Sequence, residues 1–454
     1  MSAEYDPQTT RLLSFHDHVE DFRAGKDTPR DYLERCIDTI EAREPDVKAF
    51  VVMDLDGARA AADASTARYK EGRPLSLVDG MPMGIKDLYD TADMPTQLNS
   101  ALFEGMQPDF DAASVWALKQ GGAVMVGKTT TTEFGLGAAP PTRNPFDLER
   151  TPGGSSSGTA AAVGAAMLPA ATGSQVGGSI IRPAAYCANY GFKPTFGALN
   201  RAGGRSIAPS GSHLGTHAGS LEDMWRSARQ IAEVAGPDAG HTPLAGPMTL
   251  PDAEKPTRLV RMYTGGWDLT DDASKQVFED FLEDLQSAGV EIIKPDTLPV
   301  TAACEAAFKT VYPHASGILG YEMRWPVREY CAKDASKVSE VIHKRLALGE
   351  SMTAEDYQTA LAFKAELTAL VAAVAGVADG FISLASPGPA PMGITSTGNS
   401  AYQVPTSVSG MPSVTVPLLA SENLPLGVQL AGFKQGDAKL CAHARWLTEW
   451  RLDR

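Results

Sequence analysis

The chain has 454 residues, 43% of them apolar and 21% charged, with a formal net charge of −15. That balance supports a large core and argues against global disorder, and the length allows one large α/β unit with insertions. The acidic surplus repels phosphate backbones, so nucleic acid is not an expected partner.

In chain order, residues 10–45 read as two helices. Thr28-Pro29 is a start signal, an N-cap followed by proline at the first helical position, and Leu33, Cys36, Ile37 and Ile40 recur behind it at helical spacing. Residues 56–71 read as an alanine-rich helix. After Gly80 the run MPMGIKDLYDT reads as a short apolar strand ending in charge. ASVWALKQGGAVMVGKT is a helix, a glycine turn and a strand. A small-residue helix is expected over 159–169, and a strand and turn over 190–201. Residues 235–256, rich in Pro, Gly, Ala and Asp, read as a surface linker without being a clean domain boundary. A helix over 271–289 precedes the strand VEIIK. Thr353 caps a helix running to about Val374, before the strand FISLA at 381–385. Strands near 413–418 and 426–431 precede a helix from Asp437. This alternation predicts an α/β fold, a sheet with helices on both faces. No fixed-period repeat is present.

Cys36, Cys187, Cys304, Cys331 and Cys441 are scattered, with no CxxC pair. That fits a reducing cytoplasm and argues against a disulfide framework or a zinc site. The first residues, MSAEYDPQTTRLLSFHDHVEDF, lack a basic region followed by an apolar run, so no signal peptide is expected. The longest apolar stretch, 159–172, is too short and alanine-rich to span a bilayer. A cytoplasmic protein with no membrane contact is expected.

Between 151 and 186 the sequence reads TPGGSSSGTAAAVGAAMLPAATGSQVGGSIIRPAAY. Apart from Tyr186, its only ionisable side chain is Arg182. Its first cluster, Gly153 to Gly158, precedes a small-residue helix. A linker is disfavoured, because small and apolar residues follow at once. Walker A chemistry is excluded, because no Gly-Lys-Ser/Thr follows. An anion nest at a helix N-terminus and a catalytic loop both remain open. In the second cluster, Gln175-Val176-Gly177-Gly178-Ser179, two glycines let the backbone approach a substrate and turn N–H groups inward. A serine directly after such a turn has a place beside an oxyanion hole; an ordinary tight turn is the alternative. The G-x-S-x-G elbow is not matched, since no glycine stands two places after Ser179.

A nucleophilic serine needs a base, and none of the eight histidines sits in a triad context. The nearest, His213 and His217, lie in a Gly/Ser loop and read as solvated or structural. A neutral lysine also activates serine, provided burial lowers its pKa. Lys86, which ends the apolar run from Met81 to Ile85, fits best; a solvent-facing lysine at a strand end is the alternative.

With these elements in hand, the sequence closely resembles the amidase signature family. The match rests on GIKD (84–87), GKTTTTEF (127–134), GGSSSG (153–158), GGSIIRPAA (177–185) and GFKPTFG (191–197), with weaker agreement at 410–418 and 425–432. It covers nearly the whole chain, most strongly between about 75 and 225. The resemblance implies one amidase signature domain over 1–454, with N-terminal helices at about 10–70 and a mixed twisted sheet covered by helices on both faces. It implies a Ser–cisSer–Lys triad: Ser179 as nucleophile, Ser155 as bridging serine after a cis Gly154–Ser155 peptide, and Lys86 as base. Ser156 and Ser157 then support the turn. The backbone N–H groups of Val176, Gly177, Gly178 and Ser179 form the oxyanion hole. No metal or organic cofactor is required.

Ser174, Gln175 and Ile181 depart from the common family pattern GTDxGGSxR, and arginine appears one place later, as Arg182. Acid and base are missing together, which avoids stranding a buried charge. The variant resembles the malonamidase-like branch, which implies that Arg182 holds a substrate carboxylate. Gly219 stands where the family often has Arg. The expected activity is hydrolysis of a small-molecule amide, with a homodimer compatible. Two alternatives stand beside it. One is the amidotransferase A subunit, which hydrolyses glutamine and passes ammonia to a partner acting on charged tRNA. The other is a catalytically silent binding protein on this scaffold. Residues setting specificity are expected within 300–345 and 385–405.

Overall fold

The computed structural model describes residues 4–452. Its frame is an 11-stranded sheet. In chain order the strands are β1 (Phe50–Met53), β2 (Pro82–Lys86), β3 (Val124–Thr129), β4 (Ala170–Gln175), β5 (Tyr190–Lys193), β6 (His213–Ala218), β7 (Arg258–Arg261), β8 (Glu291–Ile293), β9 (Gly380–Leu384), β10 (Ser413–Ser421) and β11 (Leu424–Ala431). Their order in space is β1-β3-β2-β4-β6-β5-β10-β11-β9-β7-β8. Parallel pairs (β2 with β3 and β4, β7 with β8 and β9) lie on either side of an antiparallel run from β4 to β9, so the sheet is mixed. Every residue of β2, β3 and β4 is buried. Strands covered on both faces show this pattern, and the α/β expectation holds.

Local signals explain where several helices start. Thr28 accepts a hydrogen bond from Asp31 N, with Pro29 at the first helical position of Pro29–Val47. Thr353 and Asp356 form a capping box that starts Ala354–Val374. Other expectations need correction. The small-residue helix spans Ser157–Gly164, and 170–175 is strand β4. All eight residues of that helix are buried, and a Cβ on Gly158 would lie 2.0 Å from Ala49 O. Only small residues let it pack so tightly against the sheet. The 235–256 segment is not a simple surface linker, since Leu244 and Leu250 are buried in the main core. Three helices, Pro299–Glu322, Arg324–Asp334 and Glu340–Ser351, fill a region for which the sequence predicts no element. Among the described residues, no helix is long and apolar enough to cross a membrane.

Candidate active site

Lys86 is the last residue of β2, in the middle of the buried part of the sheet, and is fully buried. Its Nζ lies 2.8 Å from Ser155 Oγ, 2.9 Å from Ser156 Oγ, 2.9 Å from Ser174 Oγ and 3.3 Å from Ser174 O. No ion pair joins it to a carboxylate among the described residues. Burial alone pushes its pKa well below the ordinary 10.5, so the neutral amine is favoured. A neutral amine carries two N–H groups and one lone pair. Three hydroxyls surround Nζ, so one can donate into the lone pair while the other two accept. A Ser155 hydroxyl that donates to Lys86 keeps a lone pair free for a proton arriving from elsewhere.

The Gly154–Ser155 peptide is cis. Gly153, at φ +83°, precedes it, and a Cβ there would lie 2.8 Å from Pro183 Cα, so only glycine fits this turn. Ser157 Oγ donates to Gly153 O at 2.8 Å. Ser156 N donates to Ser179 O at 3.4 Å, tying the two Gly/Ser clusters together.

Ser179 stands between β4 and the short helix Ile181–Tyr186. Gln175 fixes the turn from both sides. Its Oε1 accepts from Ile180 N at 2.8 Å and Ile181 N at 3.1 Å. Its Nε2 donates to Ser407 Oγ at 2.9 Å, and Ser407 Oγ donates to Gly177 O at 2.6 Å. Among the described residues, none of the N–H groups of 176–179 donates a hydrogen bond. The turn therefore holds free donors next to Ser179, the arrangement an oxyanion needs.

A cavity of about 200 Å³ brings these parts together. Its lining includes Ser155, Ser179, Arg182, Tyr312, Arg345 and Ser400, and no Asp or Glu. Arg182 is buried; its Nη2 donates to Gly154 O at 2.6 Å and to Thr397 Oγ1 at 3.1 Å, while its Nε has no partner among the described residues. Burial lowers its proton affinity. Arg345 belongs to Glu340–Ser351 and makes no ion pair among the described residues; its Nε is likewise buried without a partner. Two guanidinium groups thus face one small cavity with no counter-charge in its wall. A larger cavity, about 330 Å³, lies where residues near Tyr5 and Arg11 meet the C-terminal helix, and contains none of these groups.

The structure brings together every residue the sequence singled out: Lys86, Ser155, Ser179, Arg182 and the 176–178 turn. It also corrects the placement of two histidines: His213 and His217 lie not in a loop but on β6, where both are buried, the structural one of the two readings. His213 Nδ1 is bonded to Gly211 O and Gln175 O, and His217 Nδ1 to Asn189 Oδ1 at 3.0 Å. Burial and the nearby Lys86 pull His217 down to about 3, so it stays neutral. Sequence reading missed Tyr312, Arg345, Ser400 and Ser407 as individuals. The first three fall within the spans expected to set specificity, but a lone Tyr, Arg or Ser on an unmatched helix or loop carries no motif.

A family model described as Amidase matches residues 31–441. The A subunit of the glutamyl-tRNA(Gln) amidotransferase of Myxococcus xanthus (strain DK1622) is 30% identical over 464 residues, covering 93% of this chain and 94% of that protein. A crystal structure of an amidase superposes with a TM-score of 0.83 at 25% identity, covering 97% of this chain and 100% of the other. The corresponding A subunit from Thermotoga maritima superposes with a TM-score of 0.74 at 24% identity, covering 98% of this chain and 96% of the other. The span matched by the family model takes in Lys86, Ser155, Ser179 and the helices above the cavity.

Proposed function

The chain belongs to the amidase signature family and is an amide hydrolase, and from that premise we propose that it cleaves a small carboxamide bearing a carboxylate, through an acyl-enzyme on Ser179. The observation that carries the chemistry is Lys86: a fully buried amine without a counter-charge, 2.8 Å from Ser155 Oγ. Ser179 attacks the amide carbonyl while its proton passes through Ser155 to Lys86. The N–H groups of 176–179 take the oxyanion. The proton then returns to the leaving nitrogen, which amides require because amide anions are poor leaving groups. Water cleaves the ester by the same relay, and Lys86 ends neutral. Arg182 and Arg345 supply the positive charge that a carboxylate on the substrate needs. The test is ammonia release by the isolated chain from malonamate, succinamate, L-asparagine and L-glutamine. Release from at least one, lost in Ser179→Ala, is expected; release from none, or release that survives Ser179→Ala, contradicts the reading.

The named relatives favour a second reading, in which the chain is an amidotransferase A subunit. Its amide is then glutamine, itself an amide-bearing acid, and the ammonia passes to a partner. The two readings share the same site and differ in coupling. Ammonia release from glutamine that appears only when a partner protein is added decides for the second.

A further inference from the structure

The two helices that overhang the cavity cross at a pair of glycines. A Cβ on Gly349 would lie 1.9 Å from Gly320 O and 3.2 Å from Arg324 Cγ. A Cβ on Gly320 would lie 3.2 Å from Gly349 N and 3.5 Å from Arg345 O. Neither glycine has positive φ. Both sit inside helices, Pro299–Glu322 and Glu340–Ser351, where glycine is a poor helix former. Conformational freedom therefore does not explain them, and close approach of the two backbones does.

What that approach holds in place is visible on both helices. On the first, Tyr312, Ala315, Ser316 and Leu319 line the cavity at spacings of three and four, one stripe of a helix. Gly320 follows directly. On the second, Arg345 stands one turn before Gly349, and its own carbonyl faces Gly320. Ordinary contact between heavy atoms is about 3.5 Å, so any side chain at 349 must push the helices apart by about 1.5 Å. Arg345 travels with that movement, while Ser179 and the 176–179 turn, held by Gln175 and Ser407, do not.

We propose that the Gly320–Gly349 crossing is a positioning element for substrate choice, and that Gly349 and Gly320 act through Arg345 to hold a substrate carboxylate at a set distance from Ser179. This rests on the reading of Arg345 as a carboxylate anchor. The variants are Arg345→Ala, Gly349→Ala, Gly320→Ala and the Arg345→Ala/Gly349→Ala double. The substrate is whichever of malonamate, succinamate, L-asparagine and L-glutamine is turned over fastest, compared with its methyl ester.

Gly349→Ala is expected to raise KM for the acid about 10-fold or more, and to leave kcat/KM for the ester within about twofold. Gly320→Ala, whose Cβ meets only a 3.2 Å contact, shifts the same ratio in the same direction by less. The double variant is no worse on the acid than Arg345→Ala alone, because both changes remove one interaction. Equal losses on acid and ester in both glycine variants, or an unchanged acid preference, overturn the proposal. Labelling of Ser179 by a fluorophosphonate reports whether each variant is folded. If Gly349→Ala is not, Gly320→Ala decides alone. An Arg345→Ala variant that keeps its acid preference removes the anchor instead, and no turnover of any acid removes the proposed function; the crossing loses its role with either.

Discussion

Two regions meet at the cavity and obey different rules. In the Gly/Ser core, residues 151–186 are buried almost throughout. Gln175 holds two backbone N–H groups and a serine, and Lys86 stands among three hydroxyls. The helices over 299–351 are the opposite. They expose Trp325 at 75% and Tyr312 at 59%, touch the cavity through a few side chains, and meet each other at one close crossing. A core position answers to many constraints at once, so few residues satisfy it. An overhanging helix needs only one apolar or functional stripe, so many sequences do. On the proposed reading the first region supplies the reaction, and the second faces the part of the substrate that does not react.

The sharpest way to break that division is at Lys86. Lys86→Ala should lower kcat/KM on every amide about 10²–10⁴-fold, the range for loss of a positioned general base. Lys86→Arg should not rescue it, since arginine does not deprotonate. The sign of the pH profile follows from the burial that depresses the Lys86 pKa. Below that depressed pKa the amine is protonated and kcat/KM falls about tenfold per pH unit; above it the base is neutral and this limb is flat. A pH–rate profile of wild type and variant checks both, and wild-type turnover in Lys86→Ala places the base elsewhere.

Smaller but still reaction-wide is Gln175→Leu. It strands the Ile180 and Ile181 N–H groups and frees Ser407, at a stability cost of about 1–3 kcal/mol per unsatisfied group. Urea denaturation should show that loss, and kcat should fall for acid and ester substrates alike. Gln175→Glu keeps an acceptor for the two N–H groups but strands an unpaired carboxyl in a fully buried position, so at neutral pH it should not recover the stability that Gln175→Leu loses.

Arg182 tests where the division lies. One nitrogen of its guanidinium is committed to Gly154 O, in the core, while the side chain also lines the cavity. Arg182→Ala should therefore lose kcat/KM on both acid and ester, with the larger loss on the acid. Paired ester and acid kinetics measure this. A loss confined to the acid makes Arg182 a pure specificity residue; equal losses make it a pure scaffold.

The smallest effect is on stability. An unfolded Lys86 takes its proton near the ordinary 10.5, while the folded one resists it. Between the two pKa values the unfolded chain binds more protons, so this group makes the fold more stable as pH rises, by at most about 1.4 kcal/mol per pH unit. Lys86→Met should lack that slope between pH 7 and 10 in thermal melts, and should melt no lower than wild type at pH 7.

The same contrast governs what the sequence made legible. Lys86, Ser155 and Ser179 stand out through their resemblance to the amidase signature motifs; the glycine pairs, the serine cluster and the apolar run ending in lysine each leave a second reading open on their own. The caps at Thr28 and Thr353 are legible without that help, because an N-cap residue has a narrow physical meaning. Strands β4 and β6 were not: AATGSQ and HLGTHA are small and polar, without the alternation of a half-exposed strand, because both are buried on both faces. The histidines on β6 read as loop residues, solvated or structural, because a Gly-rich neighbourhood resembles a loop. Arg345 escaped notice because its meaning depends on a helix crossing that brings it to a cavity shared with Ser155 and Ser179, far from it in the chain.

The division between a reacting core and a selecting overhang depends on Ser179 being the acylated residue. Intact-mass analysis of the protein treated with a fluorophosphonate tests this directly. A single adduct is expected, mapped to Ser179, absent in Ser179→Ala and slowed in Ser155→Ala and Lys86→Ala. An adduct that persists in Ser179→Ala, mapped to another serine, contradicts it.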